Sequence, residues 1–322
     1  MNAYSPSREE AHSHFTQAIY TGDLTELERW LPHVDPAADD SRALRIAADQ
    51  GHLAVVERLL PFSDPKAHSS KAFYCACRNG HLAIAQRLAP LSDVGDRNHR
   101  AFWSAVSEGH ESIVAFLLDL GYYDFQAEPS KLLSLAAFFG HVGVARLLLP
   151  HSDPKHGARP PLLEAAYHGH LAMVEFLLPV SNDPALYAQA LVEAVLGKQR
   201  SLVELLLTVA DPRLDSSRAL KTAAETQQAD LISLLLPRSD AKAVWAEWLM
   251  EFSCVGKSFD FSAMDTLGIA LPPEQQAEWL ADLPEGYLPL MESAQRSRQR
   301  LQQMRQMSAP HDGSGRRPRS RS

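Results

Sequence analysis

Apolar and polar positions along this chain repeat one short pattern. In "SRALRIAADQGHLAVVERLLP", residues 41–61, Ala43, Leu44, Ala47 and Ala48 are spaced i, i+1, i+4, i+5, which puts them on one face of a helix. After Gly51, the residues Val55, Val56, Leu59 and Leu60 repeat that spacing. Pro61 stops the run, because it has no N–H to donate and its ring clashes with the preceding turn. Gly51 stands where a helix ends in a left-handed cap, and Ser41 stands where a side chain caps the first helix. The pattern predicts two short antiparallel helices joined by a turn.

The phrase returns as "GHLAIAQRLAPLSD" from Gly80, "GHVGVARLLLPHSDPK" from Gly140 and "GHLAMVEFLLPVSNDP" from Gly169. Aligned on the glycine, the anchors are Gly22, Gly51, Gly80, Gly109, Gly140 and Gly169, with Lys198 and Gln227 in the same slot afterwards. Every step is 29 residues except that from Gly109 to Gly140, which is 31. A fixed period in this range is the signature of a solenoid, in which each unit leans on its neighbours. One unit alone has too few apolar side chains to offset the entropy of ordering its backbone. The expected architecture is therefore all-α: a helical solenoid of about eight helix-turn-helix repeats.

The period covers residues 13 to 240, after a segment 1–12. Beyond Asp240, "AVWAEWLMEFSCVG" (243–256) and "LPPEQQAEWLADL" (271–283) read as helices of a C-terminal cap over 241–295. Trp245, Trp248, Leu249, Trp279 and Leu280 are expected to cover the last repeat. Residues 296–322 are polar and basic and carry the composition of a disordered tail.

Charge sharpens this division. The tail holds eight arginines against the single acid Asp312, a net +7, which leaves −15 for the rest of a chain whose total is −8. An acidic body is unlike a nucleic-acid-binding fold, and with no aromatic residue after Tyr287 the tail has nothing to stack on bases. Nucleic acid is thus not the expected partner, and any such role rests on the tail's charge alone. No apolar run reaches the length of a bilayer span, and the start "MNAYSPSREEAHSH" has neither the basic nor the apolar region of a secretory leader. The expectation is a protein that is not membrane-inserted, with a reducing, cytoplasmic location, since three cysteines make no disulfide framework.

The recurring "AAxxGHLxxVxxLL" core resembles the ankyrin-repeat family. It stands in this chain as "AADQGHLAVVERLL" (47–60), "AVSEGHESIVAFLL" (105–118), "AAFFGHVGVARLLL" (136–149) and "AAYHGHLAMVEFLL" (165–178). The units are shorter than the usual ankyrin repeat and open Ser-x-Ala-Leu in place of a Thr-Pro-Leu-His-type turn. The connections "PFSDPKAHSS" and "PHSDPKHGARP", with Pro65 and Pro154 each following an aspartate, read as tight turns. Binding is expected to rest on helices more than on hairpin fingers.

No catalytic or cofactor chemistry is expected. The five Gly-His pairs (His52, His81, His110, His141, His170) tempt one to a metal. Stacked helices lie about 8 to 10 Å apart, too far for one histidine per repeat to share an ion. Each ring is expected instead to hydrogen-bond the turn between helices. There is no Gly-rich phosphate loop, HExxH pair or Gly-x-Ser-x-Gly elbow. Glu9 with Glu10 and Asp39 with Asp40 read as solvated acids, and of Cys75 and Cys77, which face opposite ways on one helix, one is expected in the core.

The resemblance implies that the two residues before each Gly-His pair lie exposed on the concave helices and touch a partner. By position these are Tyr20 and Thr21, Asp49 and Gln50, Arg78 and Asn79, Ser107 and Glu108, Phe138 and Phe139, and Tyr167 and His168. Tyr74 and Trp103, a turn earlier, extend the strip. Neighbours on a helix point about 100° apart, so at least one of Phe138 and Phe139 is expected to be exposed. The lengthened connection "DLGYYDFQAEPSK" (119–131) adds Tyr122, Tyr123 and Phe125 as a second contact candidate. The implied function is non-catalytic binding of a protein on the concave face, by occlusion or scaffolding, as in a microbial inhibitor or host-directed effector. The alternative is an adaptor whose repeats target a C-terminal segment that is catalytic or binds nucleic acid.

Overall fold

The computed structural model describes residues 7–94, 100–121, 123, 125, 130–155, 157, 159–255, 262–263 and 266–267. They are helical, with no strand among the described residues, and the chain divides into two compact units, Met1–Asp211 and Pro212–Ser322. The first unit is a stack of seven helix pairs, the second holds, among its described residues, the eighth pair and a long helix after it, and the fold is the expected all-α helical solenoid.

In the first unit α1 (Arg8–Thr21) pairs with α2 (Leu24–Trp30), α3 (Ala38–Gln50) with α4 (Leu53–Leu59), and α5 (Ala67–Arg78) with α6 (Leu82–Leu88). These are followed by α7 (Arg100–Ser107) with α8 (Glu111–Leu120), α9 (Lys131–Phe139) with α10 (Val142–Leu148), α11 (Pro161–His168) with α12 (Leu171–Ser181), and α13 (Pro184–Leu196) with α14 (Arg200–Leu206). α1 starts within the stretch expected to precede the array, because Ser7 Oγ accepts the Glu10 N–H and caps it. Ala43, Leu44, Ala47, Ala48, Val55, Val56 and Leu59 are all buried, as their spacing requires. The first helices bury many alanines, which lets them lie closely side by side, whereas the leucine-rich second helices approach less closely.

Each repeat turns on its glycine. Gly51 has φ +83°, and the His52 N–H donates to the Ala47 carbonyl at 3.1 Å, closing the last turn of α3. The histidine side chain does not serve its own turn. Its Nε2 donates to a carbonyl of the preceding repeat: His52 to Tyr20, His81 to Asp49, His110 to Arg78, His141 to Ser107 and His170 to Phe138, at 2.8 to 3.1 Å. The ladder bears on the slot's occupants before His52 and after His170. Asp23, in the first pair, caps α2, its Oδ1 accepting from the Glu26 N–H at 3.0 Å. Gln199, in the seventh pair, takes the histidine's place against Gly169.

A second ladder runs through serines. Ser41 does not cap: Asp39, Asp40 and Ser41 form a left-handed turn with φ 54 to 58°, and the buried Ser41 Oγ accepts the Asp64 N–H of the next connection at 2.8 Å. Ser70 does the same for Asp93 at 2.8 Å, and Ser130 Oγ donates to the Asp153 carbonyl. The aspartates open the connections as expected, the Asp64 and Asp153 carboxylates accepting the N–H of Lys66 and Lys155 at 2.9 Å.

In the second unit α15 (Leu214–Glu225) pairs with α16 (Ala229–Leu235), and α17 (Ala241–Val255) packs on α15. Ser217 Oγ accepts the Asp240 N–H at 2.7 Å. The unit boundary at Asp211 groups the eighth pair with α17, whereas the period alone runs on to Asp240. Trp245 and Trp248 are buried there, and Trp248 Nε1 donates to Glu225 at 3.3 Å. The Lys221 ammonium, buried between the helices, meets Glu247 at 2.7 Å and Glu251 at 2.6 Å. Burial works to lower its pKa, but these two carboxylates prevail and hold it above the usual lysine value. The Leu249 side chain, Trp279, Leu280 and the arginine tail lie outside the described residues.

Candidate protein-binding face

The two-residue slot before each anchor sits at the C-terminal end of a first helix, on the arc opposite its buried stripe. In α9 the stripe is Leu132, Leu133, Ala136 and Ala137, so Phe138 and Phe139 both point outward, 40% and 42% exposed. Tyr167, the equivalent of Phe138 one repeat on, is 39% exposed. The Phe138 and Phe139 rings lie 4.8 Å apart edge to face, the His168 ring is 4.1 Å from Phe138, and Tyr167 is 5.0 Å from His168. Four rings from two repeats thus form one continuous aromatic surface. The ladder anchors it from below, since His170 holds the Phe138 carbonyl.

The earlier repeats present a polar version of the same slot. Arg78 meets Asp49 at 2.9 Å, and Asn79 Nδ2 donates to the Asp49 carbonyl and carboxylate at 2.8 and 2.9 Å. Burial opposes the Arg78 charge, but Asp49 together with the neighbouring Cys75 and Tyr74 outweighs it and raises the guanidinium pKa. Arg78 and Asn79 are therefore half-buried and engaged with the neighbouring repeat, while Gln50 and Glu108 are exposed and Ser107 is half-buried, its Oγ turned back to the Ser104 carbonyl.

Tyr74 and Trp103 are half-buried and each lies under cations that the sequence reading overlooked. Lys71 Nζ is 4.0 Å from the Tyr74 ring centre, with the Arg100 and Arg78 guanidinium carbons at 5.3 and 5.8 Å. Lys131 Nζ is 4.4 Å from the Trp103 ring, and Arg159 lies 5.6 Å from that of Tyr167. The signal for Lys71 was its i, i+3 spacing from Tyr74; Arg100, Lys131 and Arg159 come from connections or helix starts, where spacing says little. A hydrogen bond from Ser104 Oγ at 3.3 Å, with Lys71 and Arg78 nearby, holds the Tyr74 phenol below its ordinary pKa against the opposite pull of burial.

The lengthened connection turns its aromatics inward. Tyr123 and Phe125 are half-buried, 5.3 and 6.3 Å from the core ring of Phe102 and 4.7 Å from each other, and Phe125 stacks on His151 at 5.2 Å. They close over the connection, so the structure places them apart from the exposed surface; Tyr122 lies outside the described residues. Both Cys75 and Cys77 are buried, not one, and burial pushes both thiols up. Asp39 and Asp40 sit in the left-handed turn, Asp40 3.7 Å from His68. Among the described residues no group of three or more histidines, cysteines or carboxylates is placed to hold a metal ion, and no helix is long and apolar enough to cross a membrane.

The repeating helix pairs match a known family. The family model for ankyrin repeats in three copies matches residues 44–129 and again 102–188. That stretch, with its helix pairs and Gly-His turns, is an array of ankyrin repeats. Ankyrin repeats are protein-protein interaction modules and are typically non-catalytic. A crystal structure of the human ASB11 ankyrin repeat domain is similar over 64% of this chain and 95% of that one, at 20% identity and a TM-score of 0.47. No curated protein matches the chain.

Proposed function

We propose that the chain binds a protein partner on the face built from its first helices, centred on Phe138, Phe139, Tyr167 and His168. The observation that carries this reading is the aromatic surface itself. Three large rings, each about two-fifths exposed, stand together on a rigid, hydrogen-bonded scaffold. Exposed aromatic clusters of this kind are over-represented among the residues that dominate binding energy. The closer approach of the first helices supports reading their side as the inner, concave one.

Such a surface acts by occupancy. It blocks the partner's active or assembly surface, or holds two proteins together, which suits an inhibitor or an effector better than a catalyst. The test is to capture partners from the native lysate on the intact protein, then measure the affinity of the purified partner for the Phe138→Ala, Phe139→Ala double variant and for a chain lacking residues 296–322. Binding lost in the first and kept in the second supports the reading. The reverse pattern moves function to the C-terminal tail.

A further inference from the structure

Two repeats away from the aromatic surface, a cavity of about 410 Å³ opens between α5 and α7, lined by His68, Ser69, Lys71, Tyr74, Asp93 and Arg100 among others. Its floor is the Tyr74 ring, over which Lys71, Arg78 and Arg100 all converge within 6 Å. Like charges brought this close repel one another unless anions compensate them. Arg78 has Asp49 at 2.9 Å, and Asp93, the cavity's own carboxylate, is taken by Lys66 at 2.9 Å. Among the described residues Lys71 and Arg100 have no carboxylate partner, and both lie against the Tyr74 ring. In a body that is strongly acidic overall, a cavity lined by two cations with no carboxylate partner among the described residues is the exception.

We propose that this cavity is an anion site that receives a side-chain carboxylate of the partner, aspartate or glutamate, when an extended acidic segment lies along the first-helix face. The segment's other end then carries apolar residues for the Phe138 surface. Both cations lie against the Tyr74 ring and line the cavity, where they offer charge-assisted hydrogen bonds to a carboxylate. The inference rests on the reading of the first-helix face as the docking face, but the site itself stands on its own residues.

The test needs no natural partner. The full-length, isotope-labelled protein is titrated with acetyl-tetraglutamate amide and acetyl-tetraglutamine amide, followed by NMR at low salt, with inorganic phosphate as a third probe. Saturable shifts are expected at residues 68–74 and 100–104 with the glutamate peptide, at least about tenfold weaker for the glutamine peptide and for Lys71→Gln with Arg100→Gln, in line with the loss of two charge-assisted contacts. Lys71→Gln alone, a surface change, should weaken binding by about half that factor on a logarithmic scale. Equal binding of the two peptides, shifts elsewhere on the chain, or an unchanged affinity in the variants overturns the site. Tighter binding of phosphate than of the glutamate peptide overturns the carboxylate assignment in favour of a phosphate ligand. None of these outcomes depends on Phe138 or Phe139, so failure here is distinct from failure of the aromatic surface.

Discussion

The imidazole of His110 occupies the space that a side chain on Gly80 would need. A Cβ built at Gly80 meets His110 Nδ1 at 2.8 Å, and the same ring reaches past it to the Arg78 carbonyl, also at 2.8 Å. Glycine is required here twice over, for its positive φ of 79° and for the ring that covers it. Because the carbonyl belongs to the slot residue before the anchor, the ladder also fixes the backbone of each residue offered to a partner.

Removing either member should therefore weaken the stack. His110→Ala is expected to lower stability by about 1–2 kcal/mol, for the lost hydrogen bond and packing, and Gly80→Ala by about 2 kcal/mol or more, through left-handed strain and the clash. Urea unfolding followed by circular dichroism measures both, and a neutral Gly80→Ala would contradict the close approach.

The anchor slot at Lys198 predicts the opposite sign. Lys198 has φ +58°, and Gln227 in the second unit has φ +57°, conformations that cost an L-residue about 1 kcal/mol. Lys198→Gly and Gln227→Gly should each raise stability by about 0.5–1 kcal/mol, read as a higher urea midpoint.

Phe138→Ala with Phe139→Ala separates binding from folding. Both rings are exposed, so the thermal midpoint should shift by no more than a few degrees. Partner affinity should fall by about 100-fold, corresponding to roughly 3 kcal/mol for two central aromatic contacts. Calorimetric titration of the variant against the purified partner reads the loss.

Lys221→Met should destabilise the second unit, because Glu247 and Glu251 lose their shared cation. Both carboxylates are partly exposed, which limits the effect to about 1–2 kcal/mol. The folded-state pKa of Lys221 is raised, so its contribution is fully present below the ordinary lysine value of 10.5 and disappears as pH rises through the higher folded value. The difference between the two proteins should stay constant from pH 7 to about 10 and shrink above that, as measured by unfolding at each pH.

Cys75 and Cys77 should resist alkylation at pH 8 while the chain is folded, since burial raises both thiols and removes the thiolate nucleophile. Peptide mapping by mass spectrometry after iodoacetamide treatment, with and without denaturant, reads this directly. Rapid labelling of Cys77 in the native protein would contradict its burial.

The helix pairs were legible because burial at Ala43, Leu44, Val55 and their equivalents writes itself into spacing, and the glycine turns because glycine adopts a positive φ at the least cost. Contacts between repeats were harder to read. The histidines bond the turn between helices as expected, but the turn is that of the preceding repeat, and a periodic sequence does not say in which direction a side chain leans. Ser41 looked like a cap because serine at a helix start usually is one. Its true partner, Asp64, lies 23 residues on, and the same interval joins Ser70 to Asp93, Ser130 to Asp153 and Ser217 to Asp240. That constant offset was present in the sequence and is the signal that reveals the second ladder. The inward turn of Tyr123 and Phe125 was not legible, since it depends on Phe102, a ring on a different helix.

His141 reaches back 34 residues to Ser107, where the other four histidines reach back 32, yet its hydrogen bond is as short as any in the series at 2.8 Å. The two additional residues are thus swallowed by the connection after α8 and leave the register of the stack untouched. Length can therefore change between neighbouring repeats without breaking the histidine ladder, so long as Tyr123 and Phe125 keep their packing on Phe102.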